Sequence, residues 1–133
     1  MLSGGCACGA IRYECTAEPL FAVNCHCRDC QRETGSAFAP VLGVPAAAFT
    51  VTRGTPGYFE VISDRGTPTR RAFCTACGSP LFGAPRGAGE IATIRAGSLD
   101  DPSVFKPTRD IYVARAQPWD YMNPELPKFQ KLA

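Results

Sequence analysis

Phe73-Cys74-Thr75-Ala76-Cys77-Gly78-Ser79 is the stretch that decides how this chain is held together. A Cys-x-x-Cys turn aims two sulfurs at one point, and a glycine after the second cysteine relaxes the backbone there. Such a knuckle supplies two metal ligands, whereas a structural zinc ion takes four. The other two must come from another part of the chain. Two cysteine groups lie upstream, Cys6-Ala7-Cys8-Gly9 and Cys25-His26-Cys27-Arg28-Asp29-Cys30.

Eight cysteines in 133 residues would suggest four disulfides in a secreted protein. The spacing argues for metal instead. Cys6 and Cys8 are one residue apart, as are Cys25 and Cys27, and disulfide geometry disfavours such close sets. Counting then separates the groups. Cys6, Cys8, Cys74 and Cys77 make a closed four-thiolate site that ties the start of the chain to a distant segment. Cys25, Cys27 and Cys30 remain, enough for three ligands and an open position, the pattern of a catalytic zinc. The reverse assignment strands three sulfurs far apart in sequence. A redox role for Cys74 and Cys77 is the rival reading, but such dithiols open a helix, and this pair follows a strand and precedes Gly78-Ser79-Pro80. His26 alternates with its flanking sulfurs in an extended segment, so it is poorly placed to share their ion. It reads as a supporting group beside the ligands or as a solvated side chain. Cys15 reads as a small buried apolar residue.

Around these groups the chain is punctuated by 13 glycines and 12 prolines, so long elements are not expected. Short strands are expected over Ala10 to Cys15, Leu20 to Asn24, Ser36 to Val44, Phe49 to Thr52, Gly57 to Ser63, Thr69 to Phe73, Glu90 to Arg95 and Asp110 to Ala114. Arg28 to Glu33 is the one helical candidate, stopped at Thr34-Gly35. Asp100 to Phe105 suggests a helical turn capped by Asp100. The tail from Gln117 reads as irregular, with Trp119 packed on the body. The expected fold is mainly β with little helix, residues 1–133 forming one zinc-binding domain. A net charge of +2 gives no basis for nucleic-acid or membrane partners. No apolar run approaches the ~20 residues of a membrane span, and Met1 to Gly5 lacks the basic and apolar regions of a secretory signal, so a cytoplasmic location is expected.

In order along the chain, Gly4-Gly5-Cys6-Ala7-Cys8-Gly9, Cys25 to Cys30 followed by Thr34-Gly35, Phe73 to Ser79, Pro118-Trp119 and Leu126-Pro127-Lys128-Phe129 resemble the motifs of one family. It is the glutathione-dependent formaldehyde-activating enzyme family, which includes centromere protein V, and the likeness runs from about Gly4 to Phe129. The resemblance implies a β-tent of small antiparallel sheets stapled by structural zinc. It also implies zinc at Cys6, Cys8, Cys74 and Cys77, and a second, catalytic zinc at Cys25, Cys27 and Cys30. The implied activity is that of S-(hydroxymethyl)glutathione synthase, a carbon–sulfur lyase type that adds a thiol such as glutathione to formaldehyde or another small aldehyde. Many members carry a histidine where this chain has Arg109-Asp110.

Three thiolates would leave a zinc ion soft and electron-rich, suited to holding an incoming thiol as thiolate for attack on an aldehyde. Arg28 and Arg32 stand beside the trio in sequence and could meet a carboxylate of a peptide-like thiol. The three-ligand site should hold its zinc more weakly than the four-ligand one. The alternative is a non-catalytic, zinc-stapled protein-binding module, in which a fourth protein ligand would close the second site.

Overall fold

The structure, a computed structural model, describes residues 1–85 and 90–132. Among these residues the strands are β1 (Leu2–Gly5), β2 (Arg12–Cys15), β3 (Phe21–Cys25), β4 (Ala39–Pro45), β5 (Phe49–Arg53), β6 (Gly57–Ile62), β7 (Pro68–Phe73), β8 (Pro80–Gly83), β9 (Ile91–Arg95) and β10 (Arg109–Ile111). One α-helix, α1 (Arg28–Thr34), and four single-turn 3₁₀ segments complete the described elements. The fold is mainly β, as its short apolar runs and frequent turn residues demand.

Strands β1, β2 and β5 form a three-stranded sheet. The other seven form a second sheet in the order β10-β3-β4-β9-β8-β7-β6. All pairings are antiparallel except β10 on β3, which is parallel with Arg109 opposite Val23 and Ile111 opposite Cys25. A parallel neighbour needs a long crossover, and here most of the chain intervenes.

Side chains alternate between the faces of a strand, and in the seven-stranded sheet both faces are used. Leu42 and Val44 of β4, Ala72 of β7, Phe82 of β8 and Ala92 and Ile94 of β9 point to one side. There they meet Tyr13, Cys15 and Phe49 of the smaller sheet in the main core. The Tyr13 hydroxyl, fully buried, finds the Ser98 hydroxyl at 2.5 Å. On the other side Val23 and Cys25 of β3, Ala39 and Val41 of β4 and Ile111 of β10 gather with Cys30 of α1 in a second, smaller cluster. Strand β4 therefore needs apolar residues at nearly every position, which explains its continuous apolar run.

The structure departs from the sequence reading at several points. Strands β1 and β8 were not expected, because Leu-Ser-Gly-Gly and Pro-Leu-Phe-Gly are short and carry poor strand formers. Gly4 is needed where it is, since a Cβ there would fall 2.4 Å from the Tyr13 hydroxyl oxygen. The expected strand from Asp110 to Ala114 stops at Ile111, because Tyr112 turns into the left-handed region (φ 56°) and a 3₁₀ turn follows. The turn near residue 102 is capped by Asp101, whose carboxylate accepts from the Ser103 N–H, rather than by Asp100. Asp100 is occupied elsewhere: Arg12 and Ser3 bind its carboxylate and hold it low, at about 2. The tail is irregular as expected, yet Trp119 is 68% exposed rather than packed down. Its neighbour Asp120 turns inward instead and anchors the segment. No helix among the described residues is long and apolar enough to cross a membrane.

The main core should behave as a close-packed unit. Ile94 has no exposed surface and sits centrally in it. Ile94→Ala is expected to destabilise the protein by about 3 kcal/mol through lost burial and a residual cavity. Urea unfolding with an unchanged m-value is the measurement.

Candidate metal centres

Two groups of cysteine sulfurs are brought together, and in each every Sγ lies within 4.8 Å of the others. The first is Cys6, Cys8, Cys74 and Cys77; the second is Cys25, Cys27 and Cys30. All eight cysteines are free thiols.

The four-cysteine group joins the loop after β1 to the loop after β7. Cys6 Sγ is 3.6 Å from Cys8 Sγ, and Cys8 Sγ is 3.8 Å from Cys74 Sγ. Zinc–sulfur bonds of ~2.3 Å in a tetrahedron separate the sulfurs by ~3.8 Å, so this spacing fits such an ion and not an S–S bond. Both loops reach this geometry through glycine in the left-handed region, Gly9 (φ 80°) after Cys8 and Gly78 (φ 77°) after Cys77. Backbone amides point at the sulfurs: Ile11 N–H donates to Cys6 Sγ and Ala76 N–H to Cys74 Sγ. Hydrogen bonding from Ser79 pulls the Cys77 thiol down to about 5, which favours the ligating thiolate form.

The three-cysteine group is assembled from one strand end and one helix start. Cys25 closes β3, Cys27 is the N-cap of α1, and Cys30 lies in its first turn. Cys27 Sγ accepts from the Cys30 N–H at 3.3 Å, the usual capping bond with sulfur in place of oxygen. Hydrogen bonds from the Cys25 and Cys30 thiols hold Cys27 well below the usual thiol range, and Cys25 is pushed up in return. Three sulfurs so close cannot all carry charge without a cation. Among the described residues no fourth His, Cys, Asp or Glu ligand atom lies within reach of all three. Beside them lies a cavity of about 270 Å³, walled by Phe21, Val23, Val41 and Ile111 and by polar groups that include Arg71, Arg95 and Tyr112. The trio thus faces an open space.

Arg28 and Arg32 do not line this cavity. Both are exposed on α1, and Arg28 donates to Gln31 Oε1. The cations at the trio are Arg71 of β7 and Arg95 of β9. Arg71 Nη1 lies 3.5 Å from Cys30 Sγ and 3.6 Å from Glu33 Oε1. Arg95 grips the same Glu33 with Nε at 2.6 Å and Nη2 at 3.1 Å. Sequence reading missed this triad because its members stand on three elements, and nothing local marks them. One signal was present: Arg71 and Arg95 fall at alternate positions to buried apolar residues, which places both on the cavity face.

His26 is neither a ligand nor solvated. It is 1% exposed, with Nε2 at 2.9 Å from Asp110 Oδ1 and Nδ1 at 2.5 Å from Asp120 Oδ2. Lys128 joins through Asp110 Oδ2 at 2.9 Å. His26 therefore locks β3, β10 and the tail together directly behind the trio. Asp110 serves this network through both carboxylate oxygens. Cys15 is fully buried in the main core, in the role expected of it.

Fold and sites together define a mainly β, cysteine-rich protein with one closed and one open candidate metal centre. The chain belongs to the glutathione-dependent formaldehyde-activating enzyme family, whose sequence profile matches residues 1–115. A protein of Emericella nidulans, provisionally named as such an enzyme, is 32% identical over 78 residues. That match covers 59% of this chain and 39% of the relative's length. The crystal structure of a Rhodobacter sphaeroides protein superposes with a TM-score of 0.58 at 22% identity, covering 95% of this chain and 98% of that one. The latter likeness is one of fold.

A loaded four-cysteine centre predicts that Cys74→Ser lowers tightly held metal by about one ion per chain. It should also destabilise the fold by about 3 kcal/mol or more, since binding energy at a structural site is folding energy. Metal analysis and thermal melts with and without chelator read both effects.

Proposed function

We propose that this protein is a zinc-dependent, carbon–sulfur lyase-type enzyme that adds a small thiol, glutathione or one like it, to formaldehyde or a related aldehyde. The open three-sulfur site at the floor of a 270 Å³ cavity is the observation that carries this reading. Cys6, Cys8, Cys74 and Cys77 hold a structural zinc, and Cys25, Cys27 and Cys30 hold a second, more weakly bound one. When bound there, zinc supplies a soft Lewis acid that favours a sulfur ligand as thiolate, the nucleophilic form.

The chain's own residues do the rest. Apolar Phe21, Val23, Val41 and Ile111 exclude water and fit a small carbonyl compound beside the trio. Confinement orients the two reactants, which is where the catalytic gain lies, because the addition itself is intrinsically easy. The sulfur–carbon bond forms as the carbonyl π bond opens, and the proton given up by the thiol ends on the aldehyde oxygen, giving a thiohemiacetal; the reverse is a carbon–sulfur cleavage. The family name and the cavity's size support this reading over a protein-binding module, which would want the second site closed by a fourth protein ligand.

Exchange NMR of formaldehyde with glutathione, run with wild type, Cys27→Ala and buffer alone, tests it. Wild type should exceed the buffer rate at least tenfold, and Cys27→Ala should fall back to it. Equal rates in all three samples would defeat the catalytic reading.

A further inference from the structure

The two cysteine groups differ in what neutralises them. The four-cysteine group takes hydrogen bonds from the backbone N–H groups of Ile11 and Ala76 and from the Ser79 hydroxyl. The trio takes one from the Cys30 N–H inside its own helical turn, and a second from a guanidinium that is nine-tenths buried, Arg71 at 3.5 Å from Cys30 Sγ. A buried cation is costly to maintain and needs a partner. Glu33, itself 3% exposed, partners both Arg71 and Arg95, so one carboxylate faces two arginines and the triad keeps a net positive charge toward the sulfurs. A guanidinium keeps its charge in a protein interior, and the Glu33 carboxylate 3.6 Å away offsets part of the cost of burying it.

Charge counting gives this surplus a use. Three thiolates and a divalent ion sum to −1, and an incoming thiolate makes the site −2. The cavity already has two more carboxylates in its wall, half-buried Asp29 and exposed Asp64. Without a buried cation each added negative charge would meet only repulsion in a poorly solvated space. Arg71 stands on the sulfur side, where a single hydrogen bond to a charged sulfur is strong.

We infer that Arg71, held in place by Glu33, is the positioning residue that makes the open site accept an anionic sulfur ligand in preference to a neutral one. Arg71 touches no reactant in this assignment; it acts through Cys30. Glu33 sets the strength of the effect by dividing its charge between Arg71 and Arg95. The inference rests on the proposal that a thiol docks at Cys25, Cys27 and Cys30.

The test is ligand choice by cobalt(II)-loaded protein, read from the sulfur-to-cobalt charge-transfer band and the visible ligand-field bands. Two probes are titrated at one pH, 2-mercaptoethanol as the anionic sulfur donor and imidazole as the neutral donor. Arg71→Gln should weaken 2-mercaptoethanol roughly tenfold, as expected for the loss of one hydrogen bond to a charged group, while imidazole stays within about twofold. Arg71→Lys should recover most of the loss. Glu33→Gln should move the thiol the other way, tightening it by roughly threefold, because it frees positive charge. A merely structural role would weaken both probes together in both variants. If Arg71→Gln fails to retain cobalt, the direction of change in Glu33→Gln decides alone. Unchanged probe preference in the variants, or a weaker thiol in Glu33→Gln, overturns the role of Arg71. Wild type that binds no 2-mercaptoethanol at all overturns the thiol reading itself, and this inference with it.

Discussion

Strand β4 is buried on both faces, and this single constraint organises the molecule. A strand in that position must send alternate side chains into two different environments. Its even-numbered Leu42 and Val44 go to the core between the sheets; its odd-numbered Ala39 and Val41 go to the small cluster around the trio. The neighbouring strands obey the same alternation. On β9, Ala92 and Ile94 face the core while Thr93 and Arg95 face the cavity. On β7, Ala72 faces the core and Arg71 the cavity. A shift of one residue in any of these registers would exchange the sites' arginines with core aliphatics, so the pairing is strongly fixed.

That alternation also explains why two groups of cysteines in one small protein can differ so much. The four-cysteine group lies where loops leave the sheets, and backbone amides are abundant in loops. Its requirements are local, and glycines at Gly9 and Gly78 satisfy them. The trio sits between the start of α1 and a sheet face whose amides are committed to strand pairing. The helix supplies one N–H, from Cys30 to Cys27, and the sheet adds a side chain, Arg71 of β7.

Much of this was legible in the sequence, for a physical reason. Ligand spacing is a local property, so the cysteine groups, the helix they open and most strands could be read from residues a few positions apart. The partition into four and three sulfurs needed only counting. Properties set by distant residues escaped. The Glu33–Arg71–Arg95 triad spans α1, β7 and β9, and Arg28 and Arg32 attracted attention only because they are neighbours of the trio in sequence. Alternation argues against His26 as a ligand, but its two carboxylate partners come from β10 and the tail. Trp119, expected to pack on the body, is exposed; the tail is instead held by its neighbour Asp120. Strands β1 and β8 are strands because of their partners, and their own residues give little sign of it.

The parallel pairing of β10 with β3 has a consequence in time. On the ribosome a chain emerges from its N-terminus, and contacts can form only once both partners are out. Every sulfur of both groups, and the Arg71 beside them, belongs to the first 77 residues. The wall that Ile111 and Tyr112 contribute arrives much later, as does the Asp110 that meets His26 across a separation of 84 residues. Such a contact of high sequence separation is slow to form. All seven sulfurs are thus synthesised before the residues that close the side of the cavity beside the trio.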